Sequence, residues 1–342
     1  MKFYYIFYST LLFYTNFIFG FKHNLKKLSL LSKLIYEYDF VNVKNERADF
    51  VINSNINFGC CKLEENTMKC IDPPNISIDF IKKNNIYLNL IQHVKFLDKK
   101  IFFTRKTEKY FNILNETFPE TEIYGYFYNK NRLHSLILLN HEYKEIIVVF
   151  RGSQYAEEWV KNFILCDTVL PFNKDFRVHK GILSMYSDHD VDKNIFYILK
   201  NLFQYLPDYK KIFTGHSKGA TNCFLLATEL LEMLGESTDT YEIYTFGNPS
   251  IFNYKYADYL HNHPRLKINN VMNDLDIITT IPRKYQIGNQ ILLKNNKVEL
   301  HKFEKPYKVD FQINFEKIFL SLINHDMNVY IKNVFDYDYP NI

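Results

Sequence analysis

A serine flanked by glycines, at the junction of a strand pattern and a helix pattern, constrains the fold of this chain most strongly. The sequence Gly-His-Ser-Lys-Gly at 215–219 follows a strand-like run at 209–214 and precedes an apolar helical pattern at 220–234. A turn this tight forces its serine into a strained backbone conformation, and the two glycines leave room for the neighbouring elements. The start of the helix also offers N–H groups and a dipole that can stabilise an oxyanion. The pattern therefore predicts that Ser217 is a nucleophile.

Around this motif the hydrophobic pattern alternates between strand and helix periods. Strand patterns occur at 124–128, 135–139, 145–150, 211–214, 241–245 and 266–272, and helix patterns at 25–38, 218–234, 251–261 and 326–334. Alternation with short connections is typical of a mostly parallel central sheet with helices on both faces. We find no internal repeat and no low-complexity linker in the sequence, so we expect a single domain over 120–342.

The composition is that of a globular protein. Of its 342 residues, 47% are hydrophobic, which is enough to bury a large core. The 42 basic and 38 acidic residues leave a net charge of +4, and they form no long basic stripe that could follow a phosphate backbone. We therefore expect no nucleic-acid partner.

Residues 1–20 have the pattern of an export signal. An apolar run at 3–20 follows a single lysine, and polar chain resumes directly afterwards. This pattern predicts a secretory signal peptide cut after Gly20, although the run is almost long enough to remain as a membrane anchor. We accordingly expect the chain to be secreted or to enter the secretory pathway. Asn75 and Asn115 begin sequons that would then be glycosylation acceptors.

Three of the five cysteines, Cys60, Cys61 and Cys70, crowd into one short polar segment. A disulfide from Cys70 to Cys60 or to Cys61 is expected, because adjacent cysteines rarely pair with each other. The remaining member of the doublet either reaches Cys166 or Cys223 or stays a free thiol. A zinc site is the alternative for this segment, but the sequence offers no histidine or second cysteine pair at ligand spacing nearby, so we expect no metal.

A nucleophilic serine needs a base within reach and an acid that orients the base, because a free hydroxyl is weakly nucleophilic near neutral pH. In the α/β-hydrolase arrangement the acid and then a histidine follow the serine along the chain, with the acid in a loop after a later strand. Asp276 lies just beyond the strand pattern at 268–272 and is the predicted acid. The alternative candidate for the acid is its neighbour Asp274, which would otherwise be a turn residue.

Two histidines, His301 and His325, follow Asp276 in the sequence. His325 stands at the start of a helix pattern, where a loop residue can swing over the serine, so we predict that it is the base. His301 lies among charged residues, as is typical of an exposed hairpin. The predicted oxyanion hole consists of the backbone N–H of Lys218 and of the donors of Ser153, which lies in a tight turn after a strand.

Several motifs, in order along the chain, resemble those of a known family, the class 3 or fungal-type lipases of the α/β-hydrolase fold. The motifs are V-F-R-G-S at 149–153, V-H-K-G at 178–181, T-G-H-S-K-G-A at 214–220, T-F-G-N-P-S at 245–250, D-I-I-T-T-I-P at 276–282, and His325 with Tyr330. The resemblance covers about residues 120 to 335. It implies an α/β-hydrolase with Ser217, Asp276 and His325 as the triad, the same residues that the patterns alone predict. His216 matches a family position that we interpret as packing.

The largest departure from the family pattern is Lys218, which stands where an apolar residue is usual. Its charge beside the nucleophile could favour an anionic head group, or its side chain could point to solvent. In related lipases a short amphipathic helix after the oxyanion strand covers the site as a lid, and Tyr155, Trp159 and Phe163 have the required spacing here. An ordinary helix facing the core would show the same apolar stripe.

The resemblance implies hydrolysis of carboxylic ester bonds of lipids through an acyl-enzyme, with no metal or organic cofactor. The implied partner is a lipid or ester substrate at the surface of a membrane or lipid droplet. Phospholipase or acyltransferase activity on the same triad is one alternative, and a catalytically inactive lipid-binding relative is another. For residues 21–119 the sequence allows three roles: a propeptide, a regulatory cover or an integral part of the fold.

Overall fold

The architecture comes from a computed structural model, which describes residues 20–36, 50–52, 61–64, 67–70, 121–128, 133–153, 167–171, 173–187, 191–235, 238–281, 284–308 and 322–339. Several residues with sequence-based predictions lie outside these ranges, namely 1–19, Cys60, Asn75, Asn115, Tyr155, Trp159, Phe163 and Cys166.

The described elements alternate between helices and strands from residue 191 to residue 273. The strands are β1 (Phe50–Ile52), β2 (Cys61–Glu64), β3 (Thr67–Cys70), β4 (Thr121–Tyr128), β5 (His134–Asn140), β6 (Glu145–Phe150), β7 (Asp167–Leu170), β8 (Asn173–His179), β9 (Lys210–His216), β10 (Tyr241–Phe246), β11 (Leu266–Asn273), β12 (Tyr285–Gln286), β13 (Asn289–Lys294), β14 (Lys297–His301) and β15 (Tyr307–Lys308). The helices are α1 (20–36), α2 (Lys180–Tyr186), α3 (Val191–Tyr205), α4 (Lys218–Met233), α5 (Tyr254–Asn262) and α6 (Met327–Asp336), with a 3-10 helix at Ile277–Thr280.

The main sheet has the strand order β1-β4-β5-β6-β9-β10-β11-β13-β14. Its centre, from β6 through β9, β10 and β11 to β13, is parallel, whereas the outer strands on both sides pair antiparallel. Because the carboxyl ends of parallel strands meet at one edge, the loops after β6, β9, β10 and β11 come together there. The predicted parallel centre of the sheet is confirmed.

Helices cover both faces of this sheet, as predicted. Successive side chains of a strand point to opposite faces, so Val148 and Val149 of β6 belong to two different hydrophobic clusters. Helices α2, α3, α4 and α5 pack with Val148 on one face. Helices α1 and α6 pack with Val149 on the other, and this second cluster includes Leu28 of α1 and Tyr330 of α6.

Helix α1 is part of the second core. Five of its leucines and Ile35 are almost fully buried against the sheet; the leucines are Leu25, Leu28, Leu30, Leu31 and Leu34. Its Lys27 is also fully buried and forms an ion pair with Glu145 at the start of β6. One turn before its described end, Ser32 Oγ lies 3.1 Å from Thr214 Oγ1 of β9. These contacts join α1 to two strands at the centre of the sheet.

Strands β2 and β3 form a separate hairpin, in which Cys61 is directly opposite Cys70. This register agrees with the predicted pairing of Cys70 with Cys61, which stays a prediction. Cys223 in α4 is a buried free thiol, so it does not pair with the member of the Cys60/Cys61 doublet that Cys70 leaves over. None of the helices in the described ranges combines the length and the apolarity that crossing a bilayer requires.

Candidate active site

Ser217 occupies a sharp turn between β9 and α4. Its backbone angles are φ 56° and ψ −123°, a conformation that residues other than glycine seldom adopt and that costs about 1–3 kcal/mol. The turn is possible because of Gly219, where a Cβ atom would lie 2.2 Å from the carbonyl oxygen of Phe150. A Cβ on Gly215 would similarly lie 2.5 Å from the backbone of Gly219. The glycines thus let α4 start directly against β9 and β6, with Ser217 at its N-terminus.

The Asp276 carboxylate lies at the loop that follows β11, and its side chain is fully buried. Its Oδ1 accepts a hydrogen bond from the backbone N–H of Ile278 at 2.9 Å, so it caps the 3-10 helix. Its Oδ2 accepts from the hydroxyl group of Tyr330 at 2.6 Å. Burial, followed by the charge of Asp276, raises the pKa of Tyr330 well above its ordinary value, which keeps this hydroxyl protonated as a donor.

The imidazole of His325 is hydrogen-bonded to this carboxylate. Its Nδ1 lies 2.9 Å from Oδ2 and 3.1 Å from Oδ1 of Asp276. Nδ1 therefore carries the hydrogen atom and donates the hydrogen bond to the carboxylate. In the neutral form of the ring this arrangement leaves the acceptor lone pair on Nε2. A carboxylate that fixes the tautomer of a histidine in this way prepares Nε2 to act as a base.

The same ring lies beside the turn that carries Ser217. The N–H of Ser217 donates to the carbonyl oxygen of Phe246 at 2.9 Å, which joins the turn to the end of β10. The following residue, Gly247, is packed against the imidazole, because a Cβ there would lie 2.9 Å from Cε1 of His325. On the other side, the ring centroids of His216 and His325 are 4.6 Å apart. Ser217, Asp276 and His325 thus lie at one edge of the sheet.

The two rival residues lie elsewhere. The carboxylate of Asp274 is 39% exposed and lies 3.7 Å from the ammonium group of Lys294. His301, at the end of β14, is 47% exposed and its Nε2 lies 3.3 Å from the carboxylate of Glu299. Of the two candidate acids, it is therefore Asp276 that contacts the candidate base.

The loop after β6 passes beside the serine. A Cβ on Gly152 would lie 3.1 Å from the Cβ of Ser217, and the next residue, Ser153, is half-buried. Lys218 follows the nucleophile as the first residue of α4, so its backbone N–H belongs to the helix N-terminus. The two residues predicted for the oxyanion hole thus come from two elements that meet at the serine, Ser153 from the loop after β6 and Lys218 from the start of α4.

The side chain of Lys218 does not point to solvent, because the residue is only 3% exposed. That alternative interpretation of the sequence was wrong. The charge of Lys218 acts on His134 of β5, whose pKa is well below its ordinary value because of burial first and the charges of Arg151 and Lys218 second. The buried cation thus acts on the imidazole of His134 in β5.

Two functional contacts of His216 were missed by the sequence analysis, which assigned this residue to packing. Its Nε2 lies 2.7 Å from the carbonyl oxygen of His325, and its Nδ1 lies 2.8 Å from the hydroxyl group of Tyr36. Burial, followed by the charge of His325, lowers the pKa of His216 well below its ordinary value, so the ring is neutral. Tyr36 stands at the end of an apolar helical stripe, and that pattern carries no signal of a hydrogen bond to β9.

In the described ranges, no group of three or more histidine, cysteine or acidic side chains is placed to hold a metal ion. The residues predicted to form the lid, Tyr155, Trp159 and Phe163, lie outside those ranges.

Comparison with known proteins supports the resemblance seen in the sequence. The family described as Lipase (class 3) matches residues 147–286. A lipase of Rhizomucor miehei is 29% identical over 140 residues, which are 41% of this chain and 38% of that lipase. The phospholipase A1-IIdelta of Arabidopsis thaliana is 38% identical over 72 residues, 21% of this chain and 17% of that protein. The matched segments thus span less than half the length of either relative.

Among solved structures, the lipase from Rhizopus microsporus var. chinensis superposes with a TM-score of 0.53 and 23% sequence identity, over 62% of this chain and 75% of that one. Identity at this level establishes the fold alone. The predicted α/β-hydrolase fold is confirmed.

Proposed function

We propose that this chain, whose residues 147–286 match the class 3 lipase family, hydrolyses carboxylic ester bonds of lipids through Ser217, Asp276 and His325. The observation that carries this proposal is the buried hydrogen bond between the Asp276 carboxylate and Nδ1 of His325, next to the strained Ser217 turn. A charged acid, an oriented imidazole and a hydroxyl at a helix N-terminus are the components of nucleophilic acyl transfer.

In the first half of the proposed reaction, Nε2 of His325 takes the proton of the Ser217 hydroxyl group while Oγ attacks the ester carbonyl carbon. The carbonyl electron pair moves onto oxygen, and the N–H of Lys218 and the donors of Ser153 stabilise the oxyanion. When the tetrahedral intermediate collapses, the ester C–O bond breaks and the leaving alcohol receives the proton from His325. The fatty acyl group remains on Ser217 as an ester.

In the second half, His325 takes a proton from a water molecule, which attacks the acyl-enzyme. The C–O bond to Ser217 breaks, Oγ recovers the proton from His325, and a carboxylic acid is released. Asp276 stays ionised throughout and stabilises the imidazolium that forms twice in the cycle. Tyr330 and the Ile278 N–H hold the carboxylate in place, since both donate to it.

We propose a lipid as the ester substrate because the R. miehei and A. thaliana relatives are named a lipase and a phospholipase. Tyr155, Trp159 and Phe163 would form a lid that exposes its apolar side at a membrane or lipid-droplet surface. We also propose secretion, based on the apolar run at 3–20. Cleavage after Gly20 would leave α1 essentially whole, since the described helix covers 20–36.

A phospholipase is the second candidate function. It is favoured by the 38% identity to the plant phospholipase A1 over 72 residues. Both candidates use the same triad, so they differ only in head group. Product analysis with a triacylglycerol and with phosphatidylcholine separates them, because the first releases diacylglycerol and the second a lysophospholipid.

Fluorophosphonate labelling of the purified full chain tests the proposal. Wild type should be labelled and should cleave p-nitrophenyl esters, whereas Ser217→Ala should do neither. Ser29→Ala, which removes a buried hydroxyl group on α1, is the matched control and should be labelled like wild type. A folded wild type without labelling but with lipid binding would identify the chain as an inactive lipid-binding relative.

A further inference from the structure

The side chain of Tyr36 reaches the active-site edge of the sheet from α1, far away in sequence. Its hydroxyl oxygen lies 2.8 Å from Nδ1 of His216, a residue 180 positions later and directly before the nucleophile. The two rings also contact each other edge to face, with centroids 5.8 Å apart. Burial raises the pKa of Tyr36 above its ordinary value, so the phenol stays protonated and can donate.

The second nitrogen of His216 determines the direction of this hydrogen bond. Nε2 lies 2.7 Å from the carbonyl oxygen of His325, and a carbonyl can only accept, so Nε2 carries the proton of the ring. Since the ring is neutral, Nδ1 has a lone pair and must accept from the hydroxyl group of Tyr36. The three residues thus form one directed chain, in which Tyr36 donates to His216 and His216 donates to the backbone of His325.

A second contact connects Tyr36 to the opposite side of the nucleophile. The phenol oxygen is packed against the backbone of Gly152, where a Cβ would lie only 2.2 Å from that oxygen. Gly152 precedes Ser153, the residue proposed for the oxyanion hole. One hydroxyl group is therefore packed against the candidate oxyanion loop and is hydrogen-bonded, through His216, to the segment that holds the base.

We infer that Tyr36 is a positioning residue for the reaction, which fixes the backbone of His325 through His216 and the oxyanion loop through Gly152. This inference rests on the proposed function and adds a role for α1. Asp276 orients the imidazole of His325 from its Nδ1 side, but it does not hold the backbone from which that side chain extends. A displacement of about 1 Å in a reacting group can lower a rate about 100-fold, so a backbone restraint of this kind affects catalysis directly.

Tyr36→Phe tests the inference, because it removes one oxygen atom and leaves the ring. We expect kcat for a p-nitrophenyl ester to fall about 10- to 100-fold with KM changed less than about two-fold, and the rate of fluorophosphonate labelling to fall in parallel. Ser32→Ala is the matched control. It removes a buried hydroxyl group from the same helix, one that bonds Thr214 and not His216, so it should lower Tm like Tyr36→Phe and leave kcat unchanged.

His216→Phe extends the test to the middle of the chain. Because Tyr36 is proposed to act through His216 toward the base, the double variant with Tyr36→Phe should be little slower than the slower single variant. His216→Phe also replaces the first variant if Tyr36→Phe does not fold, as judged by circular dichroism. A folded His216→Phe protein with wild-type kcat would overturn the inference.

The possible failures can be told apart. If wild type is neither labelled nor active, the proposed function and this inference both fall. If wild type is labelled but Tyr36→Phe is labelled and turns over at the same rate, only the inference falls. A loss of kcat in Ser32→Ala as large as in Tyr36→Phe would also overturn it, since the effect would then come from loosening α1 as a whole.

Discussion

The ammonium group of Lys27 is paired with the carboxylate of Glu145 inside the hydrophobic core, where α1 meets the first residue of β6. Burial lowers the pKa of Lys27, and Glu145 is the main influence that opposes this shift. An ion pair whose two charged groups are both removed from water adds little to the stability of the folded state. The loss of one partner, however, leaves the other as a buried charge without compensation.

Glu145→Gln should therefore lower the free energy of unfolding by about 3–5 kcal/mol, measured by urea denaturation. The control is Asp175→Asn in the pair with Lys255, where the two groups are 3.0 Å apart and the side chains are 64% and 62% exposed. This second change should cost less than about 1 kcal/mol. Equal losses in the two variants would show that Lys27 does not depend on Glu145.

Asp276→Asn should lower kcat by about 10³- to 10⁴-fold, because an amide can donate to Nδ1 of His325 and so stabilise the wrong tautomer. Steady-state hydrolysis of a p-nitrophenyl ester measures the effect. Asp274→Asn makes the same chemical change two residues away, at a carboxylate that is 39% exposed, and should stay within about two-fold of wild type. A strong loss in the Asp274 variant and none in the Asp276 variant would reverse the assignment of the acid.

Gly219→Ala should destabilise the fold by at least about 1–3 kcal/mol, because its methyl group would lie 2.2 Å from a backbone oxygen of β6 that cannot turn aside. Thermal unfolding followed by circular dichroism gives the measurement. Gly235→Ala is the control, since a Cβ there has nothing within 4 Å. A normal Tm for Gly219→Ala would mean that α4 and β6 are further apart than described.

Stability should decline as the pH falls below about 6.5. Folding lowers the pKa of His216 well below 6.5, chiefly by burial, so the unfolded chain binds a proton that the folded chain rejects. The stabilisation that the neutral His216 ring provides is thus fully present above about pH 6.5. It is lost as the pH falls toward the pKa of His216 in the folded protein, and the free energy of unfolding then decreases by up to about 1.4 kcal/mol per pH unit. His134 shifts in the same direction and adds to the slope.

Urea denaturation from about pH 7.5 to about pH 5 measures this slope. His216→Phe should reduce it, whereas His301→Gln, at an exposed position with 47% of its side chain accessible, should not. An unchanged slope in His216→Phe would mean that this ring is protonated in the folded state.

Local patterns were sufficient for the elements that carry the candidate site. The tight strand-to-helix turn at Ser217 depends on glycines at fixed positions, and these are visible in the sequence. Asp276 could be chosen over Asp274 from its placement relative to the end of the preceding strand pattern. The start of α5 was placed three residues early, because the predicted pattern began at 251 and Asn253 instead caps the helix by accepting from the N–H of Tyr256.

The rest depends on contacts between residues far apart in the chain. The hydrogen bond from Tyr36 to His216 spans 180 positions, and nothing in the sequence near either residue indicates the other. An apolar stripe predicts that 25–38 is a helix with a buried side, but not which face of the sheet it covers. The burial of Lys27 and of Lys218 opposes the usual preference of lysine for solvent, so only the tertiary structure reveals it.

Helix α1 and helix α6 cover the same face of the sheet, and they come from opposite parts of the sequence. His216 is 109 positions ahead of the His325 carbonyl group to which it donates. When the chain is synthesised from its amino end, Ser217 leaves the ribosome long before His325 does, and the second core lacks α6 at that stage. A nascent chain therefore carries the hydroxyl group of Ser217 without its proposed base, and the proposed hydrolysis can begin only after translation has passed residue 325 and this face has closed.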